Sequence, residues 1–137
     1  MTTGTLNLTL RKGETFTQSF QIFSDANTPF NLAVGNAATF YLRDANSNTN
    51  IVILAQTAPP TGTPVVPTPS AANNYNSFLQ TDATPTNGRL YLKLTDELTD
   101  SLQFKLGKYH IMIDTASGDR FMVQDGTVTI KDVDDLN

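Results

Sequence analysis

The chain has 137 residues, 39% of them hydrophobic and only 16% charged, with 9 Lys and Arg against 13 Asp and Glu for a net charge of −4. A chain of this length buries roughly two-thirds of its unfolded surface, enough for one core, so a single domain over 1–137 is expected. Basic residues scattered from Arg11 to Lys131 give no footprint for phosphates and exclude nucleic acid as a partner, and the absence of cysteine excludes disulfide scaffolds, zinc ribbons and thiol catalysis.

The N-terminus has no cationic start followed by an apolar run, and no run of about 18 apolar residues occurs anywhere, so no membrane partner and synthesis in the cytoplasm are expected. Leu6, Leu8 and Leu10 alternate with Asn7 and Thr9, the period of a half-buried strand. Arg11-Lys12-Gly13-Glu14 is turn chemistry, after which Phe16, Gln18, Phe20 and Ile22 share one face of a second strand. The cluster from Ser24 to Pro29 forces a turn, because proline cannot continue a central strand. Ala38, Phe40 and Leu42 define a third strand with Thr39, Tyr41 and Arg43 outward. Beyond the polar turn of 46–50, Ile51-Val52-Ile53-Leu54 is an unbroken apolar run, which predicts a strand covered on both faces or a core strand of a sandwich.

Residues 55–87 differ in composition: they hold six of the seven prolines and one charge, Asp82. A neutral segment with Val65, Val66, Tyr75, Phe78 and Leu79 as anchors reads as an arm that packs on a partner rather than as a solvated linker. Since the apolar strands are expected outside it, removal of Thr57 to Thr84 should leave the domain folded. Alternation resumes at Leu90, Leu92 and Leu94 after the Asn87-Gly88 turn. Thr95 then caps acids at Asp96 and Glu97, with Leu98 and Leu102 four apart, which predicts one short helix. Tyr109, Ile111 and Ile113 point inward on the next strand, a hairpin at Ser117-Gly118-Asp119 leads to Phe121 and Val123, and Val128 and Ile130 face inward on the last. An acidic tail occupies 131–137. Seven or eight short antiparallel strands bounded by turns predict an all-β sandwich with a long insertion and at most one helix.

Catalytic chemistry finds little purchase. His110 is the single histidine, no nucleophile-elbow signature accompanies any serine, and the alternation places His110 on a strand surface. Asp132, Asp134 and Asp135 lack the glycine and terminal glutamate of a calcium loop. The isolated glycines read as turn formers and not as a phosphate loop, so neither enzyme activity nor a cofactor or metal is expected. Phe16, Phe20, Phe40 and Phe121 are assigned to the core, which leaves Tyr41, Tyr75 and Tyr91 as candidates for a carbohydrate platform.

The order of segments carries a resemblance. Leu6 to Phe16 (LNLTLRKGETF), Pro29 to Leu32 (PFNL) and Ala38 to Arg43 (ATFYLR) open the chain; Gly88 to Thr99 (GRLYLKLTDELT), Leu106 to Asp114 (LGKYHIMID) and Gly126 to Ile130 (GTVTI) close it. This series resembles the N-terminal domain of baseplate upper proteins of tailed bacteriophages and related virion proteins, with 55–87 as the departure. The resemblance implies an immunoglobulin-like β-sandwich and a non-enzymatic structural component of the virion. Neutral polarity, an arm and exposed strand edges suit contacts repeated by symmetry. The leading expectation is therefore a capsid decoration (cement) protein on the major capsid protein, in a symmetric or multi-copy assembly. The alternatives are a baseplate, neck or tail-fibre adaptor and, from another class, a carbohydrate-binding host-recognition module.

Overall fold

The computed structural model describes residues 4–25, 28–33, 35–57, 75–82 and 84–132. Among them nine strands run in chain order: β1 (Gly4–Thr5), β2 (Leu8–Arg11), β3 (Phe16–Gln21), β4 (Ala37–Asp44), β5 (Asn50–Thr57), β6 (Phe78–Thr81), β7 (Arg89–Leu94), β8 (Leu106–Asp114) and β9 (Arg120–Lys131). The described residues also include one helix, α1 (Asp96–Ser101), and a 3₁₀ turn at Pro85–Asn87. The fold is all-β, as the alternation predicts.

The strands form one curled sheet in the order β1-β9-β8-β4-β5-β6-β7-β3, with β2 beside β1 along β9. The curl turns on β5: its residues up to Ala55 pair with β4, whereas Gln56 and Thr57 pair with β6. The sheet thereby closes over its own core, and Phe20 of β3 meets Tyr109 of β8 with ring centroids 6.1 Å apart. Phe40 stacks on the same tyrosine at 5.7 Å. Leu10, Leu42, Val52, Leu79, Leu90 and Ile111 complete an interior packed from both halves of the sheet.

The pairing is not wholly antiparallel. β1 and β2 both run parallel to β9, and β5 runs parallel to β6. Strands adjacent in sequence cannot tighten into a hairpin when each has its hydrophobic face in a different half of the sheet. β2 goes to β9 while β3 goes to β7, so the Lys12–Glu14 turn carries the chain from one half of the sheet to the other instead of closing a ladder. Gly13 there has φ 81°, and Thr99, buried on α1, accepts its N–H and donates to the Glu14 carbonyl.

Two details of the strand reading are corrected. Leu6 lies between β1 and β2 and is 39% exposed, because the chain leaves the ladder there: the Asn7 side chain takes the Thr127 N–H. Gly107 and Gly126 sit inside β8 and β9, not in turns; a Cβ on Gly107 would meet the Arg43 carbonyl, and one on Gly126 the Leu6 carbonyl. The helix follows its prediction: the Thr95 hydroxyl accepts from the Leu98 N–H, and Leu98 and Leu102 are buried.

Candidate interaction surfaces

The candidate surfaces are the two outer sides of the curled sheet. Across β5, β4, β8 and β9, register places Ile53, Tyr41, His110 and Asp125 in one row, and Ala55, Thr39, Met112 and Met122 in the next. Ile53 is 48% exposed, Ile51 40% and Met122 41%, all on strands whose opposite sides fill the core. The apolar run 51–54 is therefore covered on one side only: Val52 and Leu54 are buried and the two isoleucines face out. Four apolar residues in a row conceal a period of two, which is why the sequence left open a strand covered twice beside a core strand with one outer face.

Tyr41 anchors this face. Its ring stacks on His110 at 4.9 Å, and its hydroxyl accepts from Arg120 Nη2 at 2.8 Å. Arg120 is also paired with Asp114. Partial burial holds the His110 imidazole below its ordinary pKa, and the Arg43 and Arg120 charges add to this while Asp125 opposes it. Arg43, Lys108, His110, Asp125 and Thr127 line a shallow depression of about 390 Å³.

On the other half, Thr17, Ser19, Phe78, Gln80, Tyr91 and Lys93 line a groove of about 520 Å³ over β3, β7 and β6. Register sets Ser19, Tyr91 and Gln80 in one row, and Thr17, Lys93 and Phe78 in the next. Lys93 Nζ lies 5.9 Å from the centroid of the Phe78 ring, a cation–π arrangement. Beyond this groove, Asp82 accepts from the Thr84 N–H and the Asn87 amide, which holds its carboxyl below the usual carboxylate range.

The expected anchors divide. Val65 and Val66 lie outside the described residues, as do Asp134 and Asp135. Tyr75 is exposed in a turn at φ 50°, and its carbonyl accepts from the Thr95 hydroxyl. Phe78 faces the groove. Leu79 is a correction: it is fully buried, beside β5 and β7, and has no surface to offer a partner. With it falls the expectation that Thr57 to Thr84 can be removed, since β6 lies inside that stretch and joins β5 to β7. Nor do the tyrosines assemble: Tyr41 pairs with Ile53 and His110, whereas Tyr91 pairs with Ser19 and Gln80 in the other half of the sheet. Asp132 pairs with Lys105.

Phe121 also departs from its expected place, being 39% exposed at the hairpin end of β9. A register shift between Ile111 and Met112 inserts Val123 as an extra residue opposite β8. Phe121 and Val123 share odd numbering, Val128 and Ile130 even, and both pairs can face inward only if one residue is added between them. That parity change was the signal for the bulge. Among the described residues no group of three His, Asp or Glu is arranged to hold a metal, and no helix is long and apolar enough to cross a membrane. No protein-family model matches the chain, and a search of the curated proteins returns no match.

Proposed function

We propose that this chain is a non-enzymatic structural component of a tailed-bacteriophage virion, acting as a capsid decoration protein. One observation carries the reading most directly: the outer face of β4, β5, β8 and β9 exposes Ile51, Ile53 and Met122 around the Tyr41–His110 stack. Contiguous apolar and aromatic surface rimmed by Arg43, Lys108 and Asp125 suits a protein–protein contact, with a dry centre and a polar edge. The order of segments, from LNLTLRKGETF to GTVTI, supports the same class through its resemblance to the baseplate upper proteins and the immunoglobulin-like sandwich that the resemblance implies. A carbohydrate platform of three tyrosines loses support, because Tyr41 and Tyr91 lie in different halves of the sheet.

Quantitative mass spectrometry of intact particles tests the proposal. A ratio to the major shell protein of one to a small integer is expected for decoration. A few per cent would make the chain a baseplate, neck or tail-fibre adaptor, and its absence from particles would overturn the virion role altogether.

A further inference from the structure

We infer that β3 is a homodimerisation edge, at which two copies join antiparallel about a two-fold axis through Ser19. The inference begins with the hydrogen-bond phase of the strand. The Ile22 N–H donates to the Gly88 carbonyl, and β3 pairs with β7 in continuous register. Alternation in an antiparallel ladder then turns Phe16, Gln18 and Phe20 toward β7 and leaves the N–H and C=O groups of Thr17, Ser19 and Gln21 pointing outward. Among the described residues no strand pairs on that side, since β3 ends the sheet order.

An open edge of this kind is ordinarily blunted by a charge, a proline, a bulge or a break. The opposite edge of the sheet is: β1 and β2 are separated at Leu6 and Asn7, and Arg11 closes β2. By contrast, β3 reads FTQSFQ, with no charge and no proline, and its pairing with β7 has no register shift. The Gln18 side-chain amide donates to the outward Ser19 carbonyl at 2.9 Å, filling locally the place of an absent neighbour.

A second copy fits this edge better than a foreign strand because the edge is complementary to itself. Centring the two-fold on Ser19 sets Thr17 opposite Gln21 of the partner subunit and Ser19 opposite Ser19 of the partner subunit. All three outward-pointing residues then meet outward-pointing residues in hydrogen-bonded positions. Side chains match as well: the outer row pairs hydroxyls with an amide, and the inner row pairs Gln18 with Phe20 of the partner subunit. With no charge on the strand, apposing two copies brings no like charges together there, as an isologous interface demands. The groove of Tyr91, Phe78 and Lys93 adjoins the axis, so the dimer would present two such grooves side by side.

The purified full-length chain suffices for the test, which is independent of the virion reading. Sedimentation equilibrium should show a monomer–dimer equilibrium. Ser19→Lys sets two ammonium groups opposite one another at the axis while leaving the β7 ladder intact; it should raise the dissociation constant at least tenfold with an unchanged far-UV spectrum. Because the chain has no cysteine, Ser19→Cys supplies a single thiol about 5.5 Å, Cα to Cα, from its own symmetry mate. A short bismaleimide should join Ser19→Cys chains efficiently and leave Thr129→Cys chains, at an exposed position of β9, separate. A monomer at all concentrations, or a dimer that Ser19→Lys does not weaken and Ser19→Cys does not cross-link, would overturn the inference.

Discussion

The Tyr109 hydroxyl donates a 2.6 Å hydrogen bond to the Leu6 carbonyl, joining the interior of β8 to a residue 103 positions earlier. The tyrosine is buried, its ring lies against Phe20 and Phe40, and its hydroxyl reaches the point where β1 gives way to β2. The two edge strands together pair over few residues, so this bond secures a segment that the ladder holds weakly. Tyr109→Phe keeps the ring packing and strands the Leu6 carbonyl, a loss of about 1–2 kcal/mol in urea melts. Faster amide exchange should appear at Leu6, whose N–H donates to the Asp125 carbonyl. A mutant with wild-type stability and protection would show that solvent replaces the bond.

The same junction constrains Gly126. Any Cβ there would meet the Leu6 carbonyl and the Tyr109 ring together, and the first of these is backbone. Gly126→Ala should therefore cost about 1–3 kcal/mol, the range for overpacking a filled site. Gly118 is the control: it turns the β8–β9 hairpin at φ 94° with open space where a Cβ would sit, so Gly118→Ala should show only the smaller cost of positive φ. Equal losses would mean that the Leu6 segment shifts to admit the methyl group, because Gly126 itself does not lie at positive φ.

Phe40 and Phe121 look alike in sequence, each apolar in an alternating strand, and the structure separates them. Phe40 is fully buried against Tyr109, whereas Phe121 is 39% exposed at the end of its strand. Phe40→Ala should cost about 3–5 kcal/mol and Phe121→Ala well under half of that. Urea melts of the two variants decide it, and similar losses would mean that β9 is placed wrongly against β8.

That contrast marks how far the fold was legible. Strands with strict alternation, such as β4 and β7, declared their inward faces, and the Thr95 cap declared the helix, because local periodicity and capping depend on neighbours in sequence. What the sequence concealed depends on distant partners. The parallel pairing of β1 and β2 with β9 follows from which half of the sheet each face enters, and β6 was hidden because Phe78 to Thr81 is short and follows a proline-rich stretch. The exposed side of β5 was masked because Ile51 and Ile53 are as apolar as Val52 and Leu54. At the candidate site Phe78 and Tyr91 were visible as aromatics, but the groove that joins them arises from pairing β6 with β7, which no local pattern encodes.

His110 makes stability depend on pH. The unfolded chain takes up the imidazole proton near the ordinary value of 6.5, while in the folded chain burial, Arg43 and Arg120 hold the group neutral to lower pH against the opposing pull of Asp125. Between those two values the unfolded state binds more protons, so stability rises with pH there. The contribution is fully present above 6.5 and is lost as pH falls through the folded value. Urea midpoints measured from pH 8 to 5 should therefore fall more steeply for the wild type than for His110→Gln, which cannot titrate. Parallel curves would assign the acid sensitivity to carboxylates elsewhere.

The proposed docking face can be separated from the fold by a conservative change. Ile51 and Ile53 are each at least 40% exposed, while Val52 and Leu54 between and beyond them carry the packing of β5. Replacing both isoleucines with threonine keeps the β-branched shape that suits a strand and removes apolar surface only from the outside. Stability should change by less than about 1 kcal/mol, as expected for surface substitutions away from the core. If this face seats the chain on a particle, the double variant should compete poorly with the wild type during assembly and be under-represented at least several-fold in purified virions. Equal incorporation would remove this face from the contact and leave the β3, β6 and β7 groove as the surface to test next.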